Sequence, residues 1–149
     1  MTVDADALIE AGEAQWGTDE SRFNVIFASR SYAHLLRVFE EYETKSEKTM
    51  EEAIKGEMSG DVQDAMLAIV KCVRSKSQFY AERLYESMKG AGTDDRTLIR
   101  IIVSRAEVDL ADVKEQFQAM YEQTLEDFIA DDCGGDYKKI LLLICAGNV

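Results

Sequence analysis

The chain has 149 residues, of which 46% are hydrophobic and 31% charged, as in a globular protein rather than a disordered one. Its 17 basic and 29 acidic side chains give a net charge of −12, which disfavours nucleic-acid binding and direct attraction to an anionic membrane. The apolar run Ile140–Ala146 is well short of the roughly 18 residues of a membrane span. The acidic amino terminus lacks a signal-peptide pattern and the three cysteines lack metal-type spacing, so we expect a reduced, cytoplasmic chain.

The sequence repeats one helical pattern twice. The absence of proline and the abundance of Ala, Glu, Lys and Leu predict an all-α fold. The two halves align without a gap at a single offset, which places Asp19 on Asp94 and Gly60 on Gly135. A repeat of this length predicts two copies of one unit, residues 1–75 and 76–149, packed directly against each other.

Apolar residues recur at helical spacing in each copy and predict five helices per unit. In the first copy we expect helices at about Asp4–Ala11, after Asp19, at Tyr32–Thr44, at Met50–Lys55 and from Asp61. In the second copy we expect them at about Gln78–Met88, after Asp94, at Val108–Tyr121, up to Asp132 and from Asp136. Thr49 followed by Glu52 predicts a capping box at the fourth helix. The fifth helix is almost wholly apolar in both copies, so we expect it to be the most buried.

A glycine-bearing loop follows the first helix of each copy. In the second copy it spans Met88–Asp94, where two glycines flank a small residue and let the backbone turn its carbonyl oxygens to one side. Asp132 follows Gly92 at the same distance in sequence at which Glu57 follows Gly17 in the first copy. Calcium prefers about six to eight oxygen ligands, which usually include a bidentate carboxylate. The repeated spacing therefore predicts a calcium site in each copy, built from loop carbonyls and one distant acid.

Other kinds of site fit the sequence poorly. The chain has no twelve-residue loop with the spaced aspartates of an EF-hand. Gly90 and Gly92 follow no predicted strand and lack the GKS/T ending of a phosphate-cradling loop. His34 is the only histidine, and the repeated pattern places no nucleophile near it, so we predict that the protein is not an enzyme.

Five stretches resemble the annexins, namely MKGAGTD, WGTDE, GEMSGD, IVSR and GDYKK, together with the acid that follows each loop at a fixed spacing. The resemblance covers essentially the whole chain and looks like the third and fourth repeats of the usual four. It implies two five-helix repeats wound into a right-handed superhelical half-core, with residues 1–75 of third-repeat type and residues 76–149 of fourth-repeat type. It also implies calcium-dependent binding to acidic phospholipid such as phosphatidylserine.

The resemblance further implies which oxygens bind calcium. In the second copy these are three loop carbonyls and one carboxylate, from Met88, Gly90, Gly92 and Asp132. In the first copy the matching oxygens belong to Gly12, Gln15, Gly17 and Glu57. Gln15 stands where lysine is common in the family, but a carbonyl ligand does not depend on its side chain. The remaining coordination positions are left for water or lipid oxygen, so the ion bridges protein and membrane.

Two side chains are predicted to touch the membrane. Trp16, at the tip of the first loop, is expected to enter the headgroup layer once calcium is bound, with half-buried packing as the alternative. Lys89 is expected to contact headgroup phosphate, with an ordinary solvated lysine as the alternative. We therefore expect a cytoplasmic protein that calcium recruits reversibly to the inner face of membranes. The alternative function is an acidic helical scaffold that binds a protein partner without calcium-dependent lipid binding.

The number of repeats carries an expectation of its own. Two repeats instead of four are expected to leave apolar surface exposed, and soluble monomers rarely expose contiguous apolar patches beyond a few hundred Å². We therefore expect self-association, such as a homodimer that rebuilds a four-repeat disc.

Overall fold

The structure is a computed structural model that describes residues 3–12 and 19–147. Within these ranges all regular structure is α-helical, which confirms the all-α prediction. The chain divides into two compact units, Met1–Arg74 and Ser75–Val149. None of the helices in the described ranges is long and apolar enough to cross a lipid bilayer.

The first unit contains five helices, which are α1 (Val3–Gly12), α2 (Glu20–Ser29), α3 (Tyr32–Ser46), α4 (Met50–Glu57) and α5 (Gly60–Arg74). Asp19 is the N-cap of α2, and its carboxylate accepts hydrogen bonds from the backbone N–H groups of Ser21 and Arg22. Thr49 and Glu52 form the predicted capping box. The backbone N–H of Glu52 donates to the Thr49 hydroxyl at 3.1 Å, and the backbone N–H of Thr49 donates to the Glu52 carboxylate at 2.8 Å. Both caps pair N–H groups that a helix start leaves unpaired.

The second unit repeats this order with α6 (Lys76–Met88), α7 (Asp95–Arg105), α8 (Leu110–Tyr121), α9 (Leu125–Asp132) and α10 (Gly135–Ala146). Helix α8 begins two residues later than the predicted Val108. The backbone N–H groups of Val108 and Asp109 both donate to the Arg105 carbonyl, at 3.0 and 3.2 Å. The Arg105 guanidinium also pairs with the Asp109 carboxylate at 2.7 Å. These contacts hold the segment as a turn, so the helix starts after it.

Each unit has its own hydrophobic core, to which all five of its helices contribute. In the first unit the buried side chains include Leu8, Phe23, Phe39, Ile54 and Val70, one from each helix in order. In the second unit they include Leu84, Leu98, Phe117, Ile129 and Leu141. Burying one such side chain contributes about 1.5–3 kcal/mol, so these contacts fix where the helix ends lie.

The prediction that the fifth helix is the most buried is wrong in both units. In α10 the buried residues are Leu141 and Cys145, whereas Ile140 and Leu143 are 58% and 72% exposed. Helix α5 likewise leaves Val62 39% exposed. A helix buries only the stripe of side chains that faces the helices packed against it. Apolar residues on the opposite side stay exposed, because no other helix covers them. Ile140 and Leu143 therefore form an exposed apolar face on α10.

Candidate metal-binding loops

Two glycines fold the loop between α6 and α7. Gly90 and Gly92 are exposed and have φ angles of 87° and 85°, in the left-handed region that favours glycine. The backbone N–H of Asp94 closes the loop by donating to the Ser87 carbonyl at 2.7 Å. Asp94 then caps α7 by accepting a hydrogen bond from the N–H of Thr97 at 3.1 Å. Hydrogen bonding to Thr97 lowers the pKa of Asp94, which keeps this carboxylate charged.

Asp132, the last residue of α9, lies against this loop. The Thr93 hydroxyl donates a hydrogen bond of 2.5 Å to Oδ2 of Asp132, although the two residues are far apart in sequence. The thiol of Cys133 lies 4.0 Å from the same oxygen. The end of α9 is also tied to α10, because Nζ of Lys138 donates to the Ala130 carbonyl at 3.2 Å. The structure thus brings the predicted acid to the predicted loop.

The first unit brings together Gly12 and Glu57, the last residues of α1 and α4. A Cβ atom built on Gly12 would lie 3.5 Å from Cγ of Glu57 and 3.7 Å from its Cδ. These are ordinary van der Waals distances, so the Glu57 side chain lies beside Gly12 with room for a Cβ atom between them. The other predicted residues of this loop, Gln15, Trp16 and Gly17, lie outside the described residues.

The two loops differ in length by one residue. In the first unit the N–H of Asp19 donates to the Ala11 carbonyl at 2.9 Å, whereas in the second that of Asp94 donates to Ser87. Asp19 and Asp94 occupy matching positions in the two copies, but the position that matches Ala11 is Glu86, directly before Ser87. The gapless offset seen in the sequence therefore does not describe the helix end before the loop. The first loop encloses seven residues between its closing partners and the second encloses six.

Lys89, predicted to touch lipid, already has partners on the preceding helix. Its Nζ lies 2.7 Å from Oε1 of Glu86 and 5.8 Å from the centroid of the Tyr85 ring. Half of the Lys89 side chain remains exposed. The hydrogen bond to Glu86 raises the pKa of Lys89, so the ammonium group is charged at neutral pH. An exposed pair of this kind is weak and exchanges readily for another anion.

The donor chemistry of the second loop suits a hard cation. Its exposed glycine backbone lies beside one carboxylate at the end of a distant helix. The described residues contain no group of three or more His, Cys, Asp and Glu side chains that could hold a metal ion. Oxygen donors from carbonyls and a carboxylate match the preference of calcium. Thr93 was not among the predicted site residues, although it directly follows Gly92 in the sequence.

Comparison with known proteins identifies the family. A family model described as Annexin matches residues 3–69 and 79–144. The chain belongs to the annexin family. This membership accounts for the two five-helix repeats, and it confirms the resemblance seen in the loop and helix motifs.

Individual annexins match over nearly the whole chain. Annexin A4 of Canis lupus familiaris is 55% identical over 148 residues, which are 99% of this chain and 46% of that relative. The solved structure of annexin III has a TM-score of 0.95 and 47% identity, covering 98% of this chain and 45% of that chain. The solved structure of calcium-bound annexin (Sm)1 has a TM-score of 0.85 and 30% identity, covering 95% and 38%. This chain therefore spans less than half the length of these relatives.

Proposed function

We propose that this annexin chain binds calcium through its two loops and thereby attaches to acidic phospholipid membranes, without catalysing a reaction. The observation that carries the proposal is the hydrogen bond from Thr93 to Asp132, which joins the glycine loop to its distant acid. Bound calcium would be coordinated by protein oxygens on one side. On its other side, its positive charge would attract lipid phosphate or carboxylate groups. The protein's part is to present those oxygens on an exposed loop.

The proposed ligands follow the pairing of loop and acid in each unit. In the second unit they are the carbonyls and carboxylate of Met88, Gly90, Gly92 and Asp132. In the first unit they are those of Gly12, Gln15, Gly17 and Glu57. The contact between Gly12 and Glu57 supports the first set, and the left-handed glycines support the second. Residues 1–75 would then be a third-type repeat and residues 76–149 a fourth-type repeat.

Charge explains why lipid binding should require the ion. The chain carries a net charge of −12, so an anionic membrane repels it in the absence of a bound cation. Calcium reverses the local charge at each loop without changing the rest of the surface. The related annexin (Sm)1, 30% identical to this chain, has been solved in a calcium-bound form. That precedent supports the same ion here.

The membrane contacts are expected at the loop tips. Trp16 would insert its ring into the headgroup layer, where amphipathic aromatic side chains are favoured. Lys89 would exchange its contact with Glu86 for a headgroup phosphate. Because binding depends on a reversible ligand, we propose that the chain is cytoplasmic and moves to the inner face of membranes when calcium rises.

Cosedimentation with phosphatidylserine vesicles tests the proposal directly. We expect the chain to pellet with the vesicles in calcium and to stay in the supernatant in EGTA. We expect no binding to vesicles of phosphatidylcholine alone. Binding that is equal with and without chelator would contradict the mechanism. That outcome would favour the alternative, an acidic helical scaffold for a protein partner.

Matched variants distinguish the loss of a calcium ligand from the loss of one negative charge near the site. Asp132→Asn and Glu57→Gln should each raise the calcium concentration needed for half binding, and the double variant should bind almost nothing. Asp131→Asn and Asp61→Asn remove the same charge from exposed carboxylates beside the sites and should change little. Identical calcium curves for the wild type and the double variant would show that the ligand acids are misassigned.

We also propose that the chain self-associates through exposed apolar side chains. Ile140 and Leu143 on α10 are the supporting observation, since both are more than half exposed. Light scattering should give a mass above that of one chain, and Leu143→Lys should shift it toward the monomer. Val62→Lys, on the corresponding helix of the first unit, is the matched control. A monomer at high concentration in the wild type would contradict self-association.

A further inference from the structure

The second unit exposes apolar side chains on two neighbouring helices. Ile99 and Val103 lie one turn apart on α7, and both are exposed. Ile140 and Leu143 are exposed one turn apart on α10, which contacts α7. Residues one turn apart lie on the same side of a helix. Because the two helices are in contact, a single partner can cover both apolar pairs.

The same side of α7 carries two arginines. Arg96 and Arg100 are exposed, and neither makes an ion pair within the described part of the chain. Arg30, Arg74 and Arg105, in contrast, are all bonded to carboxylates. Unpaired arginines beside exposed apolar groups suit an acidic and apolar partner surface. We define the α7–α10 face by seven exposed residues, which are Arg96, Ile99, Arg100, Val103, Lys139, Ile140 and Leu143.

Helix α5 of the first unit carries the opposite features at matching positions of the repeat. Asp64 occupies the position that matches Lys139, and it is exposed together with Asp61 one turn earlier. Ala65 and Ala68 match the two large apolar residues of α10. One helix is therefore acidic with small side chains where the other is basic with large ones. We define the α5 face by four residues, which are Asp61, Asp64, Ala65 and Ala68.

We propose that the α7–α10 face of one copy of this chain docks on the α5 face of a second copy. This inference rests on the self-association proposed above and names the two surfaces that meet. Opposite charges attract across such an interface, and large side chains pack well against small ones. The α7–α10 face is a poor partner for itself, because contact between two such faces would bring arginines together and like charges repel.

Reversing the charge of each face tests the pairing. Arg96→Glu with Arg100→Glu makes the basic face acidic, and Asp61→Lys with Asp64→Lys makes the acidic face basic. Analytical ultracentrifugation in EGTA should show about tenfold weaker self-association for each variant alone, because its two faces then carry like charges. An equimolar mixture should associate as tightly as the wild type, since each altered face then meets a face of opposite charge.

The lysine variant also separates docking from overall charge. Asp61→Lys with Asp64→Lys makes an acidic chain less negative, so general repulsion predicts stronger association, whereas docking predicts weaker association. Lys55→Glu and Glu115→Lys reverse exposed charges outside both faces and should leave association unchanged. Circular dichroism checks that each variant keeps its helices.

The outcomes distinguish this inference from self-association in general. If the wild type associates but the charge-reversed variants associate equally well, the interface lies elsewhere and the inference is overturned. It is also overturned if the folded variants are weakened and mixing does not restore association. A wild type that stays monomeric at high concentration would overturn both proposals and leave the α7–α10 face to an acidic partner of another kind.

Discussion

The Thr93 hydroxyl lies 2.5 Å from Oδ2 of Asp132, so a residue of the glycine loop orients the side chain of the distant acid. Hydrogen bonds of this kind fix the carboxylate that faces a metal, and their loss commonly weakens metal binding about 10- to 100-fold. The second loop therefore also fixes the orientation of the Asp132 carboxylate, through the hydroxyl of Thr93.

The first prediction concerns this hydrogen bond. Thr93→Val keeps the shape of the side chain but removes the donor, so the calcium concentration for half binding should rise about tenfold. Calorimetric titration with phosphatidylserine vesicles measures it in the Glu57→Gln background. Thr44→Val is the control, since the Thr44 hydroxyl donates only to the Glu40 carbonyl of its own helix. An unchanged titration for Thr93→Val would mean that Asp132 does not depend on this contact.

The second prediction concerns the pair of Lys89 and Glu86. Glu86→Gln should release the ammonium group for lipid phosphate and lower the calcium requirement by about two- to threefold, as expected for an exposed pair. Glu82→Gln makes the same charge change one turn earlier and should have a smaller effect. If Lys89 is the group released, Lys89→Gln in the Glu86→Gln background should abolish the gain. A gain that persists would point to general charge instead.

The third prediction concerns two glutamates with left-handed backbones. Glu47 and Glu122 end α3 and α8 with φ angles of 59° and 57°, a conformation that glycine adopts without steric penalty. Glu47→Gly and Glu122→Gly should each raise the free energy of unfolding by about 1 kcal/mol, because relief of a left-handed penalty of roughly 1–2 kcal/mol exceeds the entropic cost of glycine, about 0.5–1 kcal/mol. Glu115→Gly, in the exposed interior of α8, should instead lower it by about 1 kcal/mol. Urea denaturation measures all three, and destabilisation at position 47 or 122 would contradict the argument.

The fourth prediction concerns acid stability. The Arg30 guanidinium, bonded to Asp4 at 2.7 and 3.0 Å, outweighs burial and, with help from His34, lowers the pKa of Asp4 to about 2. Because this folded-state pKa is below the ordinary value of 3.8, the stabilisation is complete above about pH 5 and disappears as the pH falls to about 2. Asp4→Asn should therefore destabilise the chain by about 1–2 kcal/mol at pH 7.

Urea denaturation at pH 7 and pH 2 tests whether the stabilisation by Asp4 is lost as the pH falls. The difference between wild type and Asp4→Asn should shrink toward zero at the lower pH, where the native carboxyl is losing its charge as well. Asp64→Asn, which alters an exposed carboxylate on α5, should show no comparable pH dependence. A difference of the same size at both pH values would assign the effect of Asp4 to packing instead of charge.

Much of the fold could be predicted because the signals are local or repeated. Helix starts were visible in residues such as Thr49 and Asp94, whose side chains cap the N–H groups directly after them. The association of Asp132 with its loop is a long-range contact, yet it was predictable because Glu57 stands at the same spacing in the other copy. A duplicated pattern thus supplies the constraint that a single copy lacks.

The remaining features depend on three-dimensional surroundings that periodicity does not encode. The apolar pattern of α10 indicates burial, but which stripe is covered depends on the neighbouring helices, so the exposure of Leu143 was not predictable. Which side chains hydrogen-bond to each other also depends on how the neighbouring helices pack. The contact of Thr93 with Asp132 depends on side-chain rotamers that are set by packing. Sequence spacing places such residues near a site but does not say what they bond to.

Under the proposed function, the additional residue enclosed between Ala11 and Asp19 affects how the chain responds to calcium. Loops of unequal size impose different chelate geometries, so two thresholds are expected in place of one shared threshold. A gradual rise in the ion would then fill the loops in succession. The chain would respond over a broader window of concentration, with a shallower dose–response curve than duplicated identical sites would give.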